Sequence, residues 1–268
     1  MMSSQFISND DGVFLASQYG PHWAGPDGDR LTLAIALLKQ VPAGEISLQC
    51  FEQHLEYTSS VGLDTVIEAA TNWKVNEDAT TILHAHPEDC IVGITSSIEP
   101  PTYPTFDGSK VDAEMRNDLI IAWQEEVSGV SQGAYVSQAQ HMVASASRLG
   151  LRAQSDKDRL VWPPRQLNEA GERIQEPTEQ LSELATILTW TRLSAAGAPS
   201  EFSGRAPILG GVSTVLVEFE EGPKGVFMLA DDESENPEID GLVRFEVRRL
   251  YGQDGLMHYG LKAVLCES

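Results

Sequence analysis

The chain has 268 residues, with 18 Lys and Arg against 40 Asp and Glu, for a formal net charge of -22. At roughly 100–200 residues per domain, this length holds one large domain or two ordinary ones. The 41% apolar and 22% charged composition excludes a collagen, a disulfide scaffold and a wholly disordered chain. No run approaches the ~18–20 apolar residues that cross a bilayer, so an integral membrane protein is not expected. Residues 1–11 lack a basic region followed by an apolar stretch, so no secretory leader is expected either.

Both halves are acidic: residues 1–150 carry 6 basic and 20 acidic residues, and residues 151–268 carry 12 and 20. Such a surface repels phosphate backbones and anionic headgroups, so neither nucleic acid nor membrane is an expected partner. Cys50, Cys90 and Cys266 are odd in number and widely spaced. They outline no disulfide framework, which fits a reducing cytoplasm. No Cys-x-x-Cys occurs, so no cysteine-based zinc site is expected.

In chain order, the first thirty residues, rich in Gly, Asp, Ser and Pro, read as irregular. Asp29 to Gln40 has helical apolar spacing with Asp27 or Asp29 near its N-cap. Residues 45–55 read as a strand and Gly62 to Trp73 as a second helix. Residues 80–97 hold two β-like runs broken at His86-Pro87-Glu88-Asp89. Prolines make 99–108 a loop, and two helices follow near 111–127 and 132–149. Residues 1–150 therefore read as a mixed α/β region of unrecognised type.

Val161-Trp-Pro-Pro-Arg165 is stiff and extended, and Asn168 to Glu183 reads as loop or short helix. Five β runs follow: 185–193, 213–221, 224–231, 242–250 and 257–265. Gly222-Pro223 and Asp254-Gly255 punctuate them. Val243, Phe245 and Val247 alternate with Arg244, Glu246 and Arg248, the pattern of strands with one polar face. Five short strands suggest a closed or partly closed barrel, for which an OB-fold is the economical candidate. The expected fold class is α+β: a mixed α/β region over 1–150, a ribbon-like segment and linker over 151–181, and an OB barrel over 182–268.

Several phrases in this half are more specific: Trp162-Pro-Pro-Arg165, Ala206 to Gly222, Ile239 to Leu250, and Asp254 to Lys262. By their order and spacing, the C-terminal region resembles the OB-fold accessory proteins associated with acyl-CoA enzymes. That resemblance implies a rubredoxin-like zinc ribbon followed by an OB barrel. It also implies association with thiolases, HMG-CoA synthases, or thiolase-like aldolases and acyltransferases. The family's ribbon places Cys pairs on either side of the Pro-Pro-Arg. Here those positions fall near Gln154 and Lys157, then Asn168 and Gly171, so the resemblance implies a degenerate, metal-free ribbon.

Candidate chemistry is sparse. His84 and His86 sit two apart in a strand-like run near Glu88, Asp89 and Cys90. These types could bind zinc or pair as base and thiol nucleophile, but no third ligand has motif spacing. No GxSxG, P-loop or GxGxxG occurs. Gly210-Gly211 precedes a strand and suits a turn or bulge. Paired acids such as Glu125-Glu126 read as solvated surface. Trp162, Pro163, Pro164 and Arg165 offer a rigid segment with a stacking plane and a cation. Arg248 and Arg249 could meet CoA phosphates, although adjacent strand residues point to opposite faces.

These readings lead to a non-catalytic accessory subunit of a thiolase-superfamily complex. Such a complex makes or breaks C–C bonds on CoA thioesters, with acyl-CoA as shared substrate and no tightly bound cofactor. The OB barrel would help form the subunit interface and the pantetheine tunnel of a hetero-oligomer. The alternative is an enzyme acting on acyl-CoA through an active site in the N-terminal half.

Overall fold

The computed structural model describes residues 4–129, 138–194 and 202–266. The chain opens with a hairpin, β1 (Gln5–Asn9) and β2 (Gly12–Ala16). This corrects the irregular reading of the first thirty residues. Two residues, Asp10 and Asp11, form the tip, and Asn9 Oδ1 accepts the Asp11 and Gly12 N–H groups. Phe14, Leu15 and Ala16 are buried, so the hairpin is held by packing as well as by its turn.

Helix α1 (Arg30–Leu38) starts at Asp29, whose side chain accepts from Thr32 N while Thr32 Oγ1 accepts from Asp29 N. This reciprocal cap satisfies two otherwise orphaned donors and fixes where the helix begins. The 45–55 run gives only β3 (Glu45–Ile46) and a 3₁₀ turn at Glu52–His54, a correction to the strand reading. After β4 (Thr58–Ser59) come α2 (Leu63–Ala70) and β5 (Lys74–Val75), which pairs in parallel with β3. The two runs broken at 86–89 are β6 (Ile82–Ala85) and β7 (Ile91–Thr95). They complete an antiparallel sheet of order β1-β2-β7-β6.

The expected helices near 111–127 and 132–149 correspond to α3 (Ala113–Ser128) and α4 (Gln138–Leu149); residues 132–137 lie outside the described residues. A hairpin of β8 (Arg152–Asp156) and β9 (Arg159–Val161) follows, and β10 (Glu179–Gln180) pairs with β8. Asn168 to Glu183 otherwise runs as loop, with an isolated bridge between Leu167 and Arg173.

The five expected C-terminal strands are present as β11 (Leu184–Leu193), β12 (Val212–Phe219), β13 (Lys224–Met228), β14 (Leu242–Gln253) and β15 (Leu256–Leu265). The β14–β15 turn places Asp254 and Gly255 at φ 52 and 80, the left-handed pair that a two-residue hairpin needs. Gly211, at φ 126, precedes β12, where a Cβ would lie 2.6 Å from the Leu193 carbonyl oxygen. The pair there serves a tight turn.

The sheet order is β13-β12-β11-β14-β15-β4. One edge of β15 pairs with β14 along its length. Its other edge is divided. β4 pairs in parallel with Leu256 and Met257, and Leu229, just past β13, makes a single parallel bridge to Ala263. Ala230 N–H also donates to the Ala263 carbonyl at 2.9 Å. The sheet therefore curls without forming a closed barrel, which corrects the closed form of the closed or partly closed barrel expected. The edge of β15 is shared: β4, a segment from the N-terminal half, takes its first two residues, and the end of β13 bridges to it only at Ala263.

A contiguous core crosses the 150 boundary. Leu31, Ile35, Val66, Leu83 and Trp123 pack in the same cluster as Ala153, Val217, Phe245, Met257 and Ala263. Helix α1 lies against both β7 and β14, and α3 lies against β14. At about 25 cal/mol per Å² of apolar area removed from water, this shared burial favours the two parts folding together. No helix among the described residues is long and apolar enough to cross a membrane.

Candidate functional site

The largest departure from the reading of acids as surface lies where the loop before α1 meets β14 and β15. Asp27 is fully buried there. Its Oδ1 pairs with Arg248 Nη1 at 3.0 Å and its Oδ2 with Lys262 Nζ at 2.8 Å. Asp231 N–H donates to the same Oδ2. Lys262 also binds Asp231, and Arg205 bridges Asp231 to Glu126 at 2.9 and 2.8 Å. Arg248 continues to Glu246 at 2.7 Å and Asp232 at 3.6 Å. Thus Glu126, half of a pair read as solvated surface, is part of a buried ionic network; it also accepts from Gly252 N–H.

Arg248 and Arg249 are both buried, at 1% and 6% exposure. Their neighbouring positions do send them to different surroundings, but both surroundings are interior. Arg249 donates to the Pro26 carbonyl and lies over the Trp123 ring at 4.3 Å. Arg205 stacks on Trp123 at 3.7 Å, and Trp123 Nε1 donates to the same Pro26 carbonyl at 2.7 Å. Tyr259 Oη donates to Asp29 Oδ2 at 2.7 Å, tying the α1 cap to β15. The neighbouring negative charges hold Arg248 protonated against the opposing effect of burial. These groups lock loop to sheet.

Trp162 is also interior. Its ring stacks on Phe227 with centroids 5.1 Å apart, and it meets Phe219 edge-on at 5.9 Å. The approach depends on Gly225, where a Cβ would lie 2.6 Å from the indole. The Trp162–Pro163 peptide is cis. Pro163 and Pro164 are half-buried, and Arg165 is exposed. Of the four residues read as a contact segment, the Trp162 indole faces inward and Arg165 is exposed.

The ribbon-like segment has a cross-link of its own. Gln154 is buried, and its Nε2 donates to the Arg165 and Gln175 carbonyls at 2.8 and 3.0 Å. Its Oε1 accepts from Arg165 N–H. Asn168 Oδ1 accepts from the Ala170 and Glu172 N–H groups, while its Nδ2 donates to Asp156 and Glu172. Two side-chain amides thus join the β8–β9 hairpin to the strand and loop that follow. Replacing Gln154 with Leu keeps the volume and strands three backbone groups. A loss of about 2 kcal/mol is expected, read as a lower urea midpoint; an unchanged midpoint would show that the amide holds nothing.

The His84, His86 and Cys90 group does not converge. His84 Nε2 bonds the Ser97 carbonyl and Thr95 Oγ1, and burial lowers its pKa. His86 Nδ1 accepts from the Glu88 and Asp89 N–H groups, so it shapes the turn. The Cys90 thiol donates to Glu56 Oε1 at 3.6 Å, and burial with the adjacent Glu56 pushes its pKa up to about 12. That environment disfavours a thiolate nucleophile. Among the described residues, no three His, Cys, Asp or Glu side chains gather as a metal set.

Two concavities among the described residues bear on a site. One, of about 940 Å³, is lined by Glu52, Glu56, Asp64, Glu68 and Glu77 with Tyr57 and Leu63, and is strongly acidic. The other, of about 550 Å³, lies where α1, α2 and α4 meet β8, β14 and β15. Its wall includes Ile35, Leu38, Leu151, Phe245, Val247 and Leu261, with Lys39, Arg152 and Arg244 as cations. Sequence reasoning singled out neither: the first is lined within residues 47–77 by acids that carry no motif, and the second gathers residues from distant segments.

No family model matches the chain, and no curated protein matches it. Among solved structures, it is similar to one titled "Ltp2-ChsH2(DUF35) aldolase", at 16% identity and a TM-score of 0.33. That likeness covers 46% of this chain and 93% of the other.

Proposed function

We propose that the chain is a non-catalytic accessory subunit of a thiolase-superfamily acyl-CoA complex. In this reading the partner supplies the Cys-His chemistry that makes or breaks a C–C bond on a CoA thioester. This chain builds the subunit interface and shapes the passage for the pantetheine arm.

The observation that supports the reading best is the order of parts. A β8–β9 hairpin knuckle and a Pro-Pro-Arg segment precede five strands connected as β13-β12-β11-β14-β15, with a parallel contact between the β13 end and β15. That order suits a ribbon followed by a partly open OB barrel. The N-terminal thiol and imidazoles are each engaged elsewhere, which favours chemistry supplied by a partner.

The exposed element closest to this reading is Arg165 with Leu167, which is 55% exposed, beside Pro163 and Pro164. Trp162 acts behind that surface by anchoring the segment on Phe219 and Phe227, whereas Arg248 and Arg249 are engaged with the loop before α1. Gentle purification of the tagged chain from its own cells, followed by native mass spectrometry, tests the proposal. A thiolase-like or HMG-CoA-synthase-like chain in fixed ratio, lost from an Arg165→Glu variant, is the expected result. A chain that runs alone and turns over acyl-CoA would overturn it.

A further inference from the structure

We propose that the outer face of the β13-β12-β11-β14 sheet docks a basic amphipathic helix of a partner protein. The inference does not depend on the accessory role.

Strand register puts one set of side chains on this face. Glu218 lies opposite both Lys224 and Thr186, and Thr186 lies opposite Leu242. Two residues along each strand, Leu184 lies opposite Arg244 and Leu216 opposite Val226. Opposed residues and alternate residues share a face. Leu184, Leu216, Val226 and Leu242 therefore point outward, away from the core that holds Phe219 and Phe245. Val226 is 68% exposed, and Leu184 and Leu242 are each 46% exposed. Ile239, in the turn closed by Gly241 N–H and the Glu238 carbonyl, adds an apolar side chain that is 62% exposed, three residues before Leu242. A contiguous exposed apolar patch of this kind marks an interaction surface. β11, β12 and β14 each have a neighbour on both sides, so an occupant meets their side chains rather than adding a strand between them. An amphipathic helix laid across the face is the occupant that binds through side chains.

The charges around the patch set the sign of that helix. Glu183, Glu238 and Asp240 are exposed beside Leu184 and Ile239, and among the described residues none of the three makes an ion pair. The bases on the face are already taken, Lys224 by Glu218 at 3.3 Å and Arg244 by Glu246 at 3.0 Å. The unmatched charge is therefore negative. It repels a second copy of this chain, whose net charge is -22, and an anionic membrane as well. Lys or Arg flanking an apolar stripe complements it.

Fluorescence anisotropy of a helix-forming Leu/Lys peptide titrated with the intact chain tests the assignment, with a Leu/Glu peptide as control. Saturable binding of the Leu/Lys peptide alone is expected. Glu183→Lys with Glu238→Lys should weaken it by about tenfold or more. Leu184→Thr with Leu242→Thr, which keeps strand propensity, should weaken it by about tenfold, with the unfolding midpoint nearly unchanged. Glu52 and Glu77 are exposed and line the concavity beside β4, which pairs with the end of β15 far from Leu242. Glu52→Lys with Glu77→Lys should change the affinity by less than about threefold, because salt screens charges so far away. Equal loss from the two pairs of charge reversals would trace the binding to net charge and overturn the proposal. So would the absence of saturable binding, binding of the Leu/Glu peptide, or affinity untouched by the two Leu replacements. Self-association of the chain abolished by Leu242→Thr would assign the face to a second copy and overturn it too.

Discussion

Replacing Asp27 with Asn is expected to destabilise the fold by about 3–5 kcal/mol, because one carboxylate balances two buried cations. Both oxygens of Asp27 are used, by Arg248 and Lys262, and neither cation has access to water. An amide keeps the shape but removes the charge and points N–H at a cation. A midpoint drop on the order of 10 °C follows for a chain of this size. The effect is also pH-dependent. Burial pushes the Asp27 carboxyl up, but Lys262, Arg248 and the hydrogen bonds from Lys262 and Asp231 together hold it below the ordinary carboxylate range. With the folded value below the unfolded one, the stabilisation is complete above the unfolded value of about 4 and is lost as pH falls through the folded value. Between about pH 7 and pH 3, the wild-type advantage over Asp27→Asn should therefore stay constant down to about pH 5 and shrink below about pH 4. Thermal unfolding of both proteins across that interval measures it, and a constant difference would contradict the ionic account.

Removing the indole at 162 is expected to cost about 3–5 kcal/mol as Trp162→Ala, through lost burial and the cavity left behind. Phe219, Phe227 and Gly225 would all lose their covering ring. Arg165→Ala, at an exposed position with its backbone held by Gln154, should change stability by no more than about 0.5 kcal/mol. The two variants separate support from contact. If Trp162 instead met a partner in solution, its loss would leave urea unfolding unchanged. The indole therefore defines how the Pro-Pro-Arg segment is presented, and Arg165 is the residue free to meet something else.

The buried network changes how the charge of this chain is understood. A net charge of -22 suggests acids spread over a solvated surface. Asp27, Asp231 and Glu126 instead lie inside, each matched to a base from another element. Buried pairs of this kind are costly to desolvate and severe to break, so their main physical effect is to fix one arrangement of the loop before α1, α3 and the curled sheet. The chain thereby joins its dissimilar halves with charge as well as with apolar packing.

Local signals were legible in the sequence. The alternation at Val243, Phe245 and Val247, the Asp254-Gly255 turn and the cap ahead of α1 each act over a few residues, and each appears where the pattern places it. The β1–β2 hairpin shows the limit of composition: the first thirty residues read as irregular, yet Asp10 and Asp11 form a turn between two paired strands. The tertiary structure decided everything that depends on distant partners. Thr58 and Ser59 are too few residues to announce a strand, yet they pair in parallel with the start of β15 and join the C-terminal sheet. Arg248 and Arg249 look like a surface dipeptide until a loop more than 200 residues earlier covers them. Backbone turns and side-chain alternation are encoded locally, whereas desolvation and ion pairing depend on what the rest of the chain brings within a few ångströms.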